Sequence, residues 1–331
     1  MHTFAVARAV HGIEPLVAAE IIRLNIGAVL ELRHREVWFE PRRDPRALRL
    51  ADDVLLVAAV VDGVGRQRAA LDRLARAAAS IGGPALAHEV SASFVGRRNY
   101  TRFDVEDAVG SRLGGPYHSR RDGGRPPEGL ASWRVTIEGE RAVIARRLAD
   151  RPLHRRPYKT GALPGTLHPP LAAAMAELAR LDGARTVLDP CCGAGTTLIE
   201  AAHLAPHVRL IGLDHSPRAV ATASLNAGTA GRSEPAWIRA DAGRIPLPGA
   251  SVDRVLVNPP WDRQVPPAGL LAADPGLLWR EVRRVLTPGG LAVALVHGEL
   301  PRGFAVRRVV EVSLSGRHPV IAVLRRPASR G

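Results

Sequence analysis

Apolar and polar positions along the first 62 residues switch between two rhythms. Residues 4–10 alternate as a strand, and Leu16, Val17, Ile21 and Leu24 recur at helical spacing within 14–24. Residues 29–32 and 36–39 predict two more strands and 54–61 a fourth. Between them, 44–50 predicts a short helix, with Asp44 as its cap and Pro45 at its first position. The order βαββαβ predicts a ferredoxin-like α+β domain over residues 1–62. Residues 63–150 predict a second α+β domain. It opens with an amphipathic helix at 67–81, where Ala70, Leu71, Leu74, Ala78 and Ile81 share one face. Strand 89–94, helix 103–113, a Gly/Pro/Arg-rich loop at 114–129 and a hairpin of strands 133–138 and 141–148 complete it.

Past a basic linker at 151–164, the pattern over 165–331 becomes a strict α/β alternation. Helix 169–181, strand 186–188, helix 196–205 and strand 208–213 come first. A helix opened by Ser216 and Pro217 and closed at Gly228 follows, then strands 237–240 and 252–257. Helix 275–286, strand 291–297 and a terminal pair at 304–314 and 319–324 end the chain. A doubly wound, mostly parallel sheet finished by an antiparallel hairpin is the layout of a Rossmann-like class I methyltransferase domain, not of a dehydrogenase.

The chemistry falls on successive strand ends, which open on one side of a parallel sheet. The run Thr186-Val-Leu-Asp-Pro-Cys-Cys-Gly-Ala-Gly-Thr196 reads as strand, glycine turn and helix N-terminus. Bare backbone at Gly193 and Gly195 admits a ligand, and the free N–H groups at Thr196 favour a carboxylate or phosphate. The third glycine of a dinucleotide fingerprint is missing. Asp214, 25 residues after Asp189, is placed to accept from ribose hydroxyls. Asp241, followed by Ala242, is placed to accept from an adenine amino group. Asp189 is within reach of a methionine amino group, or else caps its own turn; Cys191 and Cys192 pack that turn.

Val257-Asn258-Pro259-Pro260-Trp261 ends the next strand and is the most specific of these features. Two prolines fix φ and remove two donors, which leaves the Asn258 oxygen and the Pro259 carbonyl as acceptors beside a flat ring. That set grips the hydrogens of an exocyclic or amide NH₂ and turns its lone pair toward an electrophile, the sulfonium methyl of S-adenosylmethionine. Trp261 stacks on the planar group, and Asn258 also borders the cofactor.

Composition adds a partner. Lys and Arg number 46 against 32 Asp and Glu, a net charge of +14 that points to a polyanion. The excess is spread, with 27 basic against 19 acidic residues in 1–160 and 19 against 13 in 161–331. Its sharpest run is Arg151-Pro-Leu-His-Arg155-Arg156-Pro-Tyr-Lys159, and Arg97 and Arg98 sit among aromatics in Phe94–Phe103, a mixture suited to RNA. The longest apolar run, 54–61, is too short to span a bilayer, so no membrane partner is expected. The two adjacent cysteines make no structural disulfide and no His or Cys cluster accompanies them, which predicts a reducing cytoplasm and no metal. No pattern in the chain implies an oligomeric state.

With these residues in view, the chain resembles the THUMP-domain RNA methyltransferases, and most closely in appearance the tRNA guanine-N2 methyltransferases, with the 23S rRNA guanine-N2 enzymes next. The resemblance rests on Asp189–Gly195 and Asn258–Trp261, with Phe103–Gly110, Val135–Gly139 and Pro152–Tyr158 in the first half. It implies a THUMP domain at 63–150 that holds the acceptor end of tRNA, and a guanosine flipped onto Trp261. By position it assigns Asn258 and the Pro259 carbonyl to the guanine amino group, Asp214 to the cofactor ribose and Asp241 to its adenine. The chain departs from the family pattern at Cys192, and at Asp262, which adds negative charge at the mouth of an RNA site. Protein glutamine or DNA amino methylation, and RNA binding on a relict cofactor fold, are the alternative functions.

Overall fold

The computed structural model describes residues 4–82, 85–124, 126–231, 235–260, 265–314 and 316–328. The chain forms two compact units, one of Met1–Arg8 with Val17–Leu153 and one of Ala9–Leu16 with His154–Gly331.

In the first unit, β1 (Ala5–Arg8), α1 (Glu14–Arg23), β2 (Gly27–Arg33), β3 (Glu36–Pro41) and β4 (Asp53–Val61) give the antiparallel strand order β2-β3-β1-β4. This is the expected ferredoxin-like order, with one correction. The helix expected at 44–50 is a single 3₁₀ turn, Pro45–Ala47. Asp44 does cap it, accepting from the Arg46 amide, but Leu48 returns to extended backbone. The buried Glu20 carboxylate accepts from the Arg49 and Leu50 amides at 3.0 Å each, and so removes the donors that would continue a helix.

The sheet does not stop at β4. It continues through β5 (His88–Phe94), β6 (Tyr117–His118), β7 (Ala131–Glu138) and β8 (Arg141–Arg147), in the order β4-β8-β7-β5-β6, to make eight strands. Helices α2 (Ala69–Ala79) and α3 (Arg102–Gly110) bury Leu74, Ala78, Val105 and Val109 in a cluster with Val90, Val135, Ile137 and Ile144. Thr101 and Asp104 close a reciprocal cap at the start of α3, each accepting from the other's amide. Strand β6 lies inside the loop expected at 114–129.

The second unit contains α4 (Pro169–Leu178), β9 (Thr186–Asp189), α5 (Thr196–Leu204), β10 (Arg209–Asp214), α6 (Pro217–Ala230) and β11 (Ala236–Arg239). It continues with β12 (Val252–Val257), α7 (Leu270–Ala273), α8 (Gly276–Val285), β13 (Leu286–Val296), β14 (Ala305–Glu311) and β15 (Val320–Arg325). The sheet order is β11-β10-β9-β12-β13-β15-β14, parallel as far as β13, with β15 antiparallel to both its neighbours. Leu278, Val282 and Val285 of α8 pack with Val252, Val255 and Ala292 in one continuous core.

Two boundaries and one added element stand out against expectation. Helix α6 runs through Gly228, and its left-handed cap falls on Gly231, φ +62°. Strand β13 begins at Leu286 and absorbs the turn expected at 288–290, because Leu286 already pairs with Val252. Helix α7 was not expected. No helix among the described residues is long and apolar enough to cross a membrane.

Candidate functional site

The carboxyl ends of β9, β10 and β12 surround a cavity of about 320 Å³. On β9, Asp189 is 1% exposed and holds the glycine turn together. Its carboxylate accepts from the Cys191 amide at 3.0 Å and from the Thr197 hydroxyl. Burial pushes this carboxyl up to about 7, and Asp214 adds to the effect against the two donated hydrogen bonds. Burial and the neighbouring carboxylates also raise both cysteine thiols far above their usual range. A nucleophilic cysteine needs the opposite shift, toward the thiolate.

The turn needs both of its glycines, for different reasons. Gly193 has φ +52° and lines the cavity, and a Cβ there meets no atom within 4 Å. Gly195 has φ +81° and is not in the cavity wall. A Cβ there would lie 2.8 Å from the Trp237 ring and 3.1 Å from the Ala223 methyl. Gly195 thus also lets the β11 indole pack against the turn, as Gly212 does on β10.

Asp214 closes the turn from the next strand, accepting from the Gly193 amide and the Ser216 amide at 2.9 Å each. Asp241 accepts from the Gly243 and Leu270 amides at 2.8 Å each, and His215 Nδ1 stands 3.9 Å away. Each carboxylate oxygen so bonded retains a second lone-pair direction. Ala242 is buried in the wall, and so is Thr196, whose hydroxyl has no hydrogen-bond partner among the described residues. An orphaned hydroxyl, an open glycine and two part-exposed carboxylates fit a ligand that carries hydroxyls and amines.

Asn258, Pro259 and Pro260 line the same cavity from the end of β12. The Asn258 amide nitrogen donates to the Gly165 carbonyl at 3.3 Å, which sets its oxygen as the opposite arm. Trp261 and Asp262 lie outside the described residues.

The chain N-terminal to α4 is the part of the site that local sequence did not reveal. Residues 163–167 form one wall of the cavity. Asn226 of α6, fully buried, accepts from the Gly161 amide and donates to the Gly161 and Ala194 carbonyls. The segment is thus pinned to the glycine turn at one end and to Asn258 at the other. Nothing periodic marks it; its only local signals are Gly161 and the Pro164-Gly165 pair.

The basic residues expected on an RNA surface divide. Arg97, Arg151 and Arg155 are exposed, and Lys159 is half-buried, with its ammonium pKa lowered by burial. Arg156 is a correction: it is 8% exposed and its Nε donates to Glu200 at 3.0 Å. Arg98 is another. It donates to the carbonyls of Val64, Gly65 and Gly139 and to the Tyr100 hydroxyl, tying together turns of its own unit.

Sheet order and cavity define a class I methyltransferase domain. Residues 155–302 match the RMKL-like methyltransferase domain family, UPF0020. The tRNA (guanine(6)-N2)-methyltransferase of Thermus thermophilus is 33% identical over 335 residues, covering 95% of this chain and 96% of that protein. The crystal structure of TrmN from Thermus thermophilus matches with a TM-score of 0.81 at 30% identity, over 98% of this chain and 100% of that one. The bovine U6 snRNA (guanine-N(2))-methyltransferase THUMPD2 is 37% identical over 147 residues, 44% of this chain and 28% of that protein. The chain belongs to this family of methyltransferases, with a guanine-N2 enzyme among its full-length relatives.

Proposed function

We propose that the protein transfers a methyl group from S-adenosylmethionine to N2 of a guanosine in tRNA, in the acceptor-stem region, and works in the cytoplasm. The observation that carries this reading is the Asn258 amide, held by Gly165 at the lip of a cavity that Asp189, Asp214 and Asp241 also line. Asp214 would accept the ribose hydroxyls and Asp241 the adenine amine. The Gly193 backbone, Cys191, Thr196 and Ala242 complete that wall, with Asp189 behind the methionine end. When bound, the cofactor supplies a sulfonium methyl, whose S–C bond breaks with its electron pair returning to sulfur as the N–C bond forms.

The chain's own contribution is orientation. Asn258 Oδ1 and the Pro259 carbonyl accept the two hydrogens of N2 and turn its lone pair toward the methyl. The nitrogen becomes acidic only once methylated and then releases one proton to solvent, so no strong base is required. Residues 1–62 serve as the ferredoxin-like domain and 63–150 as the THUMP domain, the latter offering Arg97 to the RNA. Arg151 and Arg155 are further cations offered to the RNA, and the target base leaves the helix to reach the corner, with Trp261 as its stacking ring.

The test is nucleoside mass spectrometry of tRNA and rRNA from cells with and without the gene, paired with single-turnover transfer by Asn258→Ala. Loss of N2-methylguanosine from tRNA, and a variant that binds cofactor normally but transfers at least about a hundredfold more slowly, are expected. Loss confined to rRNA would move the substrate to the ribosome. Full transfer by Asn258→Ala would overturn the mechanism.

A further inference from the structure

A second cavity, of about 200 Å³, lies against the same corner. Pro259 and Pro260 line both cavities, so the two cavities meet at the corner. Leu271, Leu278 and Trp279 make the second cavity largely apolar, and the Trp279 ring is held by edge contact with Phe304 at 6.4 Å and 80°. Two polar side chains join this wall, His297 and Glu299, both just past the carboxyl end of β13. Burial, with Arg317 adding to it, pushes the His297 imidazole down to about 4, so the ring is neutral near pH 7.

The Asn-Pro-Pro corner recognises an amino group and nothing more; guanine, adenine and glutamine all present one. What separates guanine from adenine is the neighbouring ring nitrogen. In guanine N1 carries a hydrogen beside the amino group, whereas in adenine N1 is a bare lone pair. Resting on the guanine-N2 reading above, we propose that the second cavity receives the extruded base and that Glu299 selects guanine by accepting its N1–H. The row of partners then follows the Watson–Crick edge: the corner takes N2 and Glu299 takes N1–H. Adenine in the same place would set its N1 lone pair against the Glu299 carboxylate, two acceptors with no proton between them.

The test uses the full-length protein, S-adenosylmethionine and two RNAs. One is tRNA from cells lacking the gene; the other is the same tRNA with 2-aminopurine at the methylated position, which keeps the amino group and lacks N1–H and O6. Glu299 is exposed, so Glu299→Gln is expected to fold and to bind cofactor as the wild type does. Wild type is expected to transfer to the 2-aminopurine RNA about tenfold to a hundredfold more slowly in single turnover. Glu299→Gln has an amide that both accepts from N1–H and donates to a bare N1, and is expected to treat the two RNAs alike within about threefold. Equal discrimination by wild type and variant, or none by wild type, overturns the assignment. Failure of wild type to methylate guanine N2 in the unsubstituted tRNA overturns the guanine-N2 reading, and this inference with it.

Discussion

Arg156 and Glu200 form an ion pair shut away from solvent, with the Arg156 Nε donating to Glu200 Oε1 at 3.0 Å and the side chains 6% and 0% exposed. The Tyr158 hydroxyl donates to the same oxygen at 2.8 Å, and its ring packs with Ile199 and Ala227. Glu200 lies on α5, the helix that opens from the glycine turn. The most basic run of the chain is therefore in part an anchor, which seats residues 163–167 against the cavity. Four consequences are open to measurement.

Arg156→Ala leaves a buried carboxylate without its cation and should lower stability by about 3–5 kcal/mol in urea unfolding. Arg156→Lys should recover only part of this, because an ammonium lacks the planar fork. An Arg156→Ala variant within experimental error of wild type would dismiss the anchoring role.

Replacing Arg97, Arg151 and Arg155 by Ala should leave the melting temperature in place and weaken RNA binding. The slope of log affinity against log salt should fall by up to about one for each phosphate that no longer meets an arginine. Arg98→Ala should do the opposite, costing about 1–3 kcal/mol of stability through unmade carbonyl bonds while the salt slope holds. Filter binding across a salt series, beside thermal melts, separates the two groups; identical behaviour of Arg97 and Arg98 would refute the division.

Asp189 carries a pH signature. Its folded carboxyl titrates at about 7 against an ordinary 3.8, so the folded protein binds the extra proton. The stability this group contributes is complete below pH 4 and is lost as the pH rises toward 7. Asp189→Asn removes the titration and keeps an oxygen for the Cys191 amide. Its melting temperature relative to wild type should therefore be higher at pH 8 than at pH 5, and parallel profiles would sink the assignment.

Gly195→Ala and Gly193→Ala both force a side chain into left-handed backbone, at about 1–2 kcal/mol. Only Gly195→Ala also drives a methyl into Trp237 and Ala223, so it should be clearly the less stable protein. Gly193→Ala should fold and instead lose cofactor affinity, since its methyl enters the cavity wall. Calorimetry with S-adenosylmethionine, beside denaturant melts, reads both effects.

Much of this was legible along the chain because it is local. A strand feeding a glycine turn, acidic residues at successive strand ends and a proline-fixed corner each follow from a few adjacent residues. Their common side of the sheet follows from parallel topology. Asp44 likewise announced its cap, though not that Glu20, 29 residues upstream of Arg49, would take the amides needed to lengthen the helix.

What only the folded chain decided depends on partners far apart in sequence. Arg155 and Arg156 are neighbours of one chemical type, yet one faces water and the other is buried on Glu200, 44 residues on. Arg98, which donates to three carbonyls of its own unit, differs from exposed Arg97 for a similar reason, and Gly195 also makes room for an indole on β11. Local residue chemistry determined the kind of reaction the site supports. Burial and long-range packing determined which charges remain available and which wall encloses the site, because a side chain's solvent exposure is set by whatever the rest of the fold lays against it.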